Sequence, residues 1–258
     1  MQHILFSTEQ HVAKITFNRP EVFHAMHQAM RQELLDTLQE CEQNPEIRVI
    51  YLTGSGRAFC AGQDLQEIMD PNGPELSDIL SRGYNLIVQK IRNIEKPVLA
   101  AVNGVAAGAG ANIAVACDIT VATASASFTQ AFSKIGLIPD SGGTWTIPRL
   151  IGMQRAAGLM FFSDKITAEQ AEQMGLIWKV LPNETFVAES LKMAYLLAEM
   201  PPKALAYTKK ALNQSFSNDF EAQLQLEDTY QTIAGNSADY QEGVKAFLEK
   251  RKAVFTGT

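Results

Sequence analysis

Cysteine and histidine are both scarce in this chain, and the two shortages remove several classes of chemistry at once. The three cysteines, Cys41, Cys60 and Cys117, form no CxxC pair and are odd in number. Neither a zinc knuckle nor a disulfide framework is therefore expected, and the thiols are read as free in a reducing compartment. The four histidines are His3, His11, His24 and His27. Only His24 and His27 share a helical i,i+3 spacing, and that pair is expected to face solvent at a helix start. No metal is expected. No histidine stands near Cys60 in sequence to activate it, so Cys60 is read as a small buried residue rather than a nucleophile.

Long apolar runs are missing as well. None approaches membrane-spanning length, and Met1–Phe6 carries no basic segment leading into an apolar one, so neither a membrane partner nor a signal peptide is expected. A cytoplasmic location follows by default. Positive charge is in deficit: 22 Lys and Arg stand against 28 Asp and Glu, a net charge of −6. That balance argues against nucleic acid as a partner, because phosphate binding shows as a basic excess.

What the chain has is 46% hydrophobic and only 19% charged residues over 258 positions, which suits one large α/β core. Ala13, Ile15 and Phe17 alternate as in a strand that Pro20 stops; Met30, Leu34, Leu38 and Cys41 recur at helical spacing until Asn44-Pro45. Strands are expected over residues 47–53, 98–102, 118–122 and 177–181, with a helix carrying Ile79 to Ile91 before Lys96-Pro97. Thr167-Ala168-Glu169-Gln170 is a capping-box signature. Beyond Glu184 the pattern is amphipathic helix, interrupted at Pro201-Pro202 and near Gly235-Asn236. Two regions follow, a sheet-and-helix core over 1–183 and a helical lid or oligomerisation region over 184–258.

Three segments carry chemistry. Gly136–Thr144 places one carboxylate, Asp140, in an otherwise uncharged turn of glycines and Pro139. In apolar surroundings its charged form is disfavoured, which moves its pKa toward the range useful for proton transfer. The same residue also suits a helix N-cap, and the segment alone leaves both roles open. Phe59-Cys60-Ala61-Gly62-Gln63-Asp64-Leu65 and Gly104–Ala111 are small-residue loops beside strands, where backbone N–H groups can approach a ligand. The second opens a helix, so its free amides and dipole favour negative charge. Two such donors make an oxyanion hole, and tight helix–strand packing is the plain alternative.

In this order and spacing the three segments resemble the crotonase (enoyl-CoA hydratase/isomerase) superfamily. The likeness runs from Asn18-Arg19-Pro20 to Glu242–Arg251. The resemblance implies an α/β fold, a crotonase-like ββα spiral core with a C-terminal helical trimerisation region, assembled as a homotrimer or a dimer of trimers. It implies an acyl-CoA thioester substrate, with CoA part of the substrate and no separate cofactor. Matched by position, the oxyanion donors fall on Ala61 and Ala109. The segment holding Val22 and His24 matches the part that lies against the nucleotide, and Phe247 and Lys250 match positions that reach CoA from a neighbouring subunit. Gly62, Gln63, Asp64, Leu65, Gly108 and Gly110 complete the expected binding loops.

Hydratases of the superfamily carry two glutamates, one after the Gly-rich loop and one eight positions before the Asp140 site. Here those positions hold Asn112 and Phe132. Neither moves a proton at neutral pH, so the resemblance implies an isomerase in which Asp140 alone takes a proton beside the thioester and returns it elsewhere. The segments 60–65, 131–145 and 237–257 are most similar to a branch that isomerises an oxygenated, ring-bearing acyl-CoA. Phe132 and Trp145 are expected to line an aromatic-sized acyl pocket, or else to be ordinary core. A hydratase working through Asp140 alone and a non-catalytic acyl-CoA-binding subunit remain as alternatives.

Overall fold

The computed structural model describes residues 2–258. Among the described residues ten strands form two sheets. The larger contains β1 (Ile4–Glu9), β2 (Val12–Phe17), β3 (Val49–Gly54), β5 (Val98–Val102), β7 (Ile119–Thr123) and β10 (Lys179–Leu181), in the order β1-β2-β3-β5-β7-β10. The smaller contains β4 (Ala58–Cys60), β6 (Val105–Ala107), β8 (Ser127–Thr129) and β9 (Ile166–Thr167), in the order β4-β6-β8-β9. β3, β5 and β7 pair in parallel in the large sheet, and β4, β6 and β8 pair in parallel in the small one. Each pass of the chain thus adds one long and one short strand before the next helix, which is the expected ββα spiral.

Asn103 fixes the corner between two passes. Its Oδ1 accepts from the Gly54 amide at 3.0 Å, and its Nδ2 donates to the carbonyls of Gly56 and Ala58 at 2.9 and 3.0 Å. Gly104 must be glycine, because a Cβ there would run into the Arg57 carbonyl. Side-chain alternation along the central strands then builds two cores. Ile50, Leu52, Val98, Ala100 and Val102 enter the main cluster with Met30, Leu34 and Leu38 of the helix Gln28–Gln43. Val49, Tyr51, Leu99 and Ala101 face the other way, against Phe186, Ala194 and Ala198 of the helix Phe186–Ala198. The Tyr51 hydroxyl meets Ser190 Oγ at 2.9 Å there. That helix covers a sheet face, so the region after residue 184 begins as part of the body.

Several local expectations shift. The helix expected through Ile79–Ile91 is present and uninterrupted, running through Leu76–Ile79, a π-type turn Leu80–Tyr84 and Asn85–Asn93. β4, β6 and β8 lie in stretches whose three residues are too few to show a period. The capping box at Thr167 forms as read, with Gln170 N donating to Thr167 Oγ1 and Thr167 N to Gln170 Oε1. His24 is a correction: it is wholly buried, not solvent-facing. Its Nδ1 accepts from the Arg19 amide at 2.8 Å and its Nε2 lies 2.7 Å from the Ser55 carbonyl. Burial lowers its pKa, and the contact with Ser55 only partly offsets that. His27 caps the helix Gln28–Gln43 by accepting from Met30 N.

Among the ties between the body and the C-terminal helices Pro202–Gln214, Phe220–Gly235 and Ala238–Leu248, one charged group is buried. Lys209 Nζ enters the core edge and donates to Asp118 Oδ2 at 2.7 Å, to the Ile91 carbonyl at 2.8 Å and to the Lys96 carbonyl at 3.1 Å. Asp118 Oδ2 also accepts from Val98 N at 2.8 Å. Burial pushes Lys209 down and Asp118 up, and each charge moderates the shift of the other. Lys209→Ala leaves that carboxylate without its cation. It should lower unfolding free energy by about 2–4 kcal/mol in a denaturant titration, short of the full penalty because Asp118 keeps some solvent contact.

Candidate active site

Two backbones meet at the open end of the small sheet. Gly62 (φ 94°) packs so closely on the neighbouring loop that a Cβ there would lie 2.9 Å from the Ala107 carbonyl oxygen and 3.2 Å from the Ala109 amide nitrogen. Gly108 (φ 52°) turns the chain from β6 into the helix Ala109–Ala116. A Cβ on Gly110 would collide with the backbone and side chain of Cys60. Small residues here let β4 and this helix start share one space.

The amides of that space divide cleanly. Ala61 N donates to the Phe23 carbonyl at 2.9 Å, Met26 N donates to the Gly62 carbonyl at 2.7 Å, and Asp64 N donates to the Met26 carbonyl at 3.1 Å. Ala61 is therefore corrected as an oxyanion donor, since its N–H already has an acceptor. Alternation along the extended segment turns the Gln63 amide away from Met26. Among the described residues neither Gln63 N nor Ala109 N has an acceptor. The free amides of this space are thus those of Gln63 and Ala109, and not that of Ala61. The signal for Gln63 was not in the sequence, because which amide is free depends on the partner strand.

Phe23 and His24 hold the first loop in place at a conformational cost. Both are non-glycine residues at positive φ, 52° and 58°. The His24 ring contacts and the bond from His24 N to the Arg19 carbonyl keep them there, so the Phe23 carbonyl can reach Ala61. His24 thus acts from inside the protein, not through its side chain on a ligand. Val22 is partly exposed beside it. Asp64 is also turned inward: it caps the helix Leu65–Met69 through Gln66 N at 3.1 Å and pairs with Arg19 at 2.9 Å. Leu65 is exposed on that helix with Met69.

Asp140 lies half-buried between Pro139 and Ser141. It is not a helix cap: the next helix, Gly143–Ile151, starts from Gly142, and the Asp140 carboxylate accepts instead from Ser141 Oγ at 2.7 Å. Burial raises the Asp140 pKa, and the Ser141 hydrogen bond moderates the rise. Its backbone is fixed by Asn112, whose Nδ2 donates to the Asp140 carbonyl at 2.9 Å. Asn112 Oδ1 accepts from Gln130 Nε2 at 2.8 Å. Both ends of this amide are engaged, and Gly143 makes room for it, since a Cβ there would sit 2.7 Å from Asn112 Cγ. Asn112 is thus a positioning residue. Gln130 was not picked out by sequence, being far from both partners along the chain.

The two aromatic residues do not share a wall. Phe132 is buried with its ring against Gly108, where a Cβ would lie 3.7 Å from Cζ. Trp145 instead packs edge-on to Phe216 at 5.1 Å, under Arg149 at 4.3 Å and Arg92 at 5.3 Å. Its ring is held by the C-terminal region, so Trp145 and Phe132 do not form the expected aromatic pair. Phe247 and Lys250 sit exposed, one near the end of the helix Ala238–Leu248 and the other just beyond it, and Phe247 borders a groove with Tyr240 and Val244 that includes no residue of the Asp140 cluster. Cys60 is buried, with its thiol pushed up to about 12 by burial, which removes it as a nucleophile. Among the described residues no group of three or more His, Cys, Asp or Glu could hold a metal, and no helix is long and apolar enough to cross a membrane.

This fold, with two free loop amides and one half-buried carboxylate, is that of a crotonase-type α/β protein. The Enoyl-CoA hydratase/isomerase family matches residues 7–258, and the chain belongs to that crotonase family of acyl-CoA enzymes. It is 46% identical over its full length to the 1,2-epoxyphenylacetyl-CoA isomerase of Escherichia coli K12, covering 99% of that protein. It is 49% identical, over 98% of each chain, to a Rhodobacter capsulatus protein described as a probable enoyl-CoA hydratase. The crystal structure of enoyl-CoA hydratase from Bacillus anthracis superposes with a TM-score of 0.96 at 32% identity, covering all of both chains.

Asn112→Ala tests the positioning arrangement. It removes the donor to the Asp140 carbonyl and leaves the Gln130 amide, whose Oε1 already lacks a partner, fully unpaired. The expected cost is about 1–3 kcal/mol of stability, read from thermal unfolding. Turnover should fall as well because Asp140 is no longer held.

Proposed function

We propose that this enzyme is a CoA-thioester isomerase in which Asp140 is the only acid–base group. The observation that carries this reading is the state of position 112. Where a second carboxylate would be needed for adding water, Asn112 has both side-chain atoms engaged in holding the Asp140 turn. Phe132 supplies no acid or base. One half-buried carboxylate, its backbone tied through Asn112 to the helix that Ala109 opens, suits removal and return of one proton.

In the proposed reaction the Asp140 carboxylate takes a proton from carbon next to the thioester. The electron pair moves onto the thioester oxygen, and the amides of Gln63 and Ala109 hold the resulting enolate. One such donor contributes about 2.7–4 kcal/mol in a well-studied protease. Protonated Asp140 then returns the proton to a more distant carbon, so the composition is unchanged. With a β,γ-unsaturated acyl-CoA this moves the double bond into conjugation. The likeness to the Escherichia coli isomerase supports ring 1,2-epoxyphenylacetyl-CoA as the substrate. There the proton leaves the carbon between ring and thioester and is returned to the ring, and the bond shared by epoxide and six-membered ring opens to the seven-membered oxepin.

Because the base must be ionised, kcat/KM should fall on the acid side as Asp140 protonates, at a pH above that of an ordinary aspartate. The stability effect has the opposite sense. With its folded pKa raised, the native state binds more protons than the unfolded chain between the ordinary aspartate pKa and the raised one. Stability therefore falls as pH rises through that window. Asp140→Asn should lower isomerisation by about 10²–10⁴-fold while raising the melting temperature at neutral pH. Assays with 3-enoyl-CoA and the ring epoxide side by side check the first expectation. Fast hydration of crotonyl-CoA, or full activity of Asp140→Asn, would overturn the reading.

A further inference from the structure

Beneath the free Gln63 amide, the Gln63 side chain is fastened at both ends. Its Oε1 accepts from Arg31 Nη1 at 2.9 Å, and its Nε2 donates to Glu67 Oε2 at 2.7 Å and to the Asp64 carbonyl at 3.0 Å. Arg31 and Glu67 are themselves paired at 2.8 Å. Arg31 Nη1 also donates to the Met26 carbonyl at 3.1 Å, and Glu67 Oε1 accepts from Gln28 N at 2.6 Å. The cluster thus spans the start of the helix Gln28–Gln43, the Met26 bridge and the helix Leu65–Met69. Every contact to Gln63 converges on the residue whose amide is unpartnered.

Arg31 is buried to 4% exposure and its guanidinium lies 5.5 Å from the centre of the buried Tyr84 ring. The π-type turn Leu80–Tyr84 supplies the remaining wall. A Cβ on Gly83 would sit 2.8 Å from Arg31 Nε and 2.9 Å from Cδ, so only glycine leaves the arginine in this position. π-type turns recur where a helix is reshaped for a site. Here the turn presents a bare backbone to one side chain. Glu67 stays ionised within the cluster: burial opposes its charge, but the bonds from Arg31, Gln63 and Gln28 outweigh it and hold the carboxyl below the ordinary range.

We propose that Arg31, Glu67 and the Gln63 side chain, walled by Gly83, are positioning residues that aim the Gln63 amide at the thioester oxygen. This rests on the reading of the Gln63 and Ala109 amides as the oxyanion donors. A peptide plane hydrogen-bonded only along its flanks can rock, and its donor direction rocks with it. Tying the side chain of the same residue to a buried ion pair removes that freedom before substrate arrives, so the donor needs no reorganisation when charge develops. The cluster touches no reacting atom, so its effect belongs to kcat rather than to CoA affinity.

Two variants test this by different routes. Gln63→Ala removes the tether and keeps the backbone; Gly83→Ala leaves the tether's atoms in place but displaces Arg31. Acetoacetyl-CoA serves as the probe, because its acidic carbon gives an enolate with its own ultraviolet absorption band, so the enolate fraction of bound ligand reports directly on oxyanion stabilisation. Both variants should show a weaker enolate band per bound ligand and a kcat lowered about tenfold, with KM nearly unchanged, a fraction of what loss of a whole donor costs. A purely structural role would lower the melting temperature and leave the band per bound ligand intact. An equal band and equal kcat in all three proteins overturn the proposal alone. No enolate band with the unaltered protein overturns the oxyanion reading, and the proposal with it.

Discussion

Two backbone amides, those of Gln63 and Ala109, are left without acceptors in a crowded part of the molecule, and the surrounding structure answers to that constraint. A buried N–H without a partner is costly, so native folds leave few of them. Keeping two at one place requires that every neighbouring amide find its acceptor elsewhere. Ala61 and Asp64 donate to the Phe23 and Met26 carbonyls, Met26 donates to the Gly62 carbonyl, and Gly62 donates to Cys60 Sγ. The left-handed Phe23 and His24, the buried imidazole between Arg19 and Ser55, and the absence of side chains at positions 62, 108 and 110 all serve that approach.

The same economy governs the carboxylate. Asp140 is half-buried, so its charge is disfavoured, yet it accepts one hydrogen bond from Ser141. Its backbone is gripped by Asn112 and, at a second remove, by Gln130. An amide at position 112 satisfies a donor and an acceptor at once and carries no charge. A glutamate there would place a second carboxylate beside the first, raising the pKa of one or both. An amide there therefore adds no second titratable group and anchors the Asp140 backbone.

Much of this was legible along the chain, and where it was not the reason is physical. The strand at 98–102, the end of the one expected at 177–181 (Lys179–Leu181 in the fold), the helix through Met30–Cys41 and the Thr167 capping box follow from periodicity and local hydrogen bonding, which neighbours in sequence can supply. The short strands β4, β6 and β8 exist only because parallel partners pair with them. The π-type turn Leu80–Tyr84 within its helix packs Gly83 against Arg31, which is remote in sequence. At the site, Asp140 stood out by its isolation among glycines, whereas the choice between Ala61 and Gln63 turned on the Phe23 carbonyl. His24 read as a surface residue because its spacing with His27 is helical. Trp145 read as a pocket wall because its partners Phe216 and Arg92 are remote in sequence.

The order of the residues alone determined the family, the solitary carboxylate, and the amide and phenyl ring that stand where hydratases carry glutamates. Those are identities, and identities are local. Tertiary structure decided which N–H groups remain free, which polar side chains are already committed inside the fold, and how a buried arginine and its glutamate come to grip the loop that carries a donor. Hydrogen-bond saturation is a property of pairs brought together from distant parts of a chain, so it is fixed only when the chain has closed.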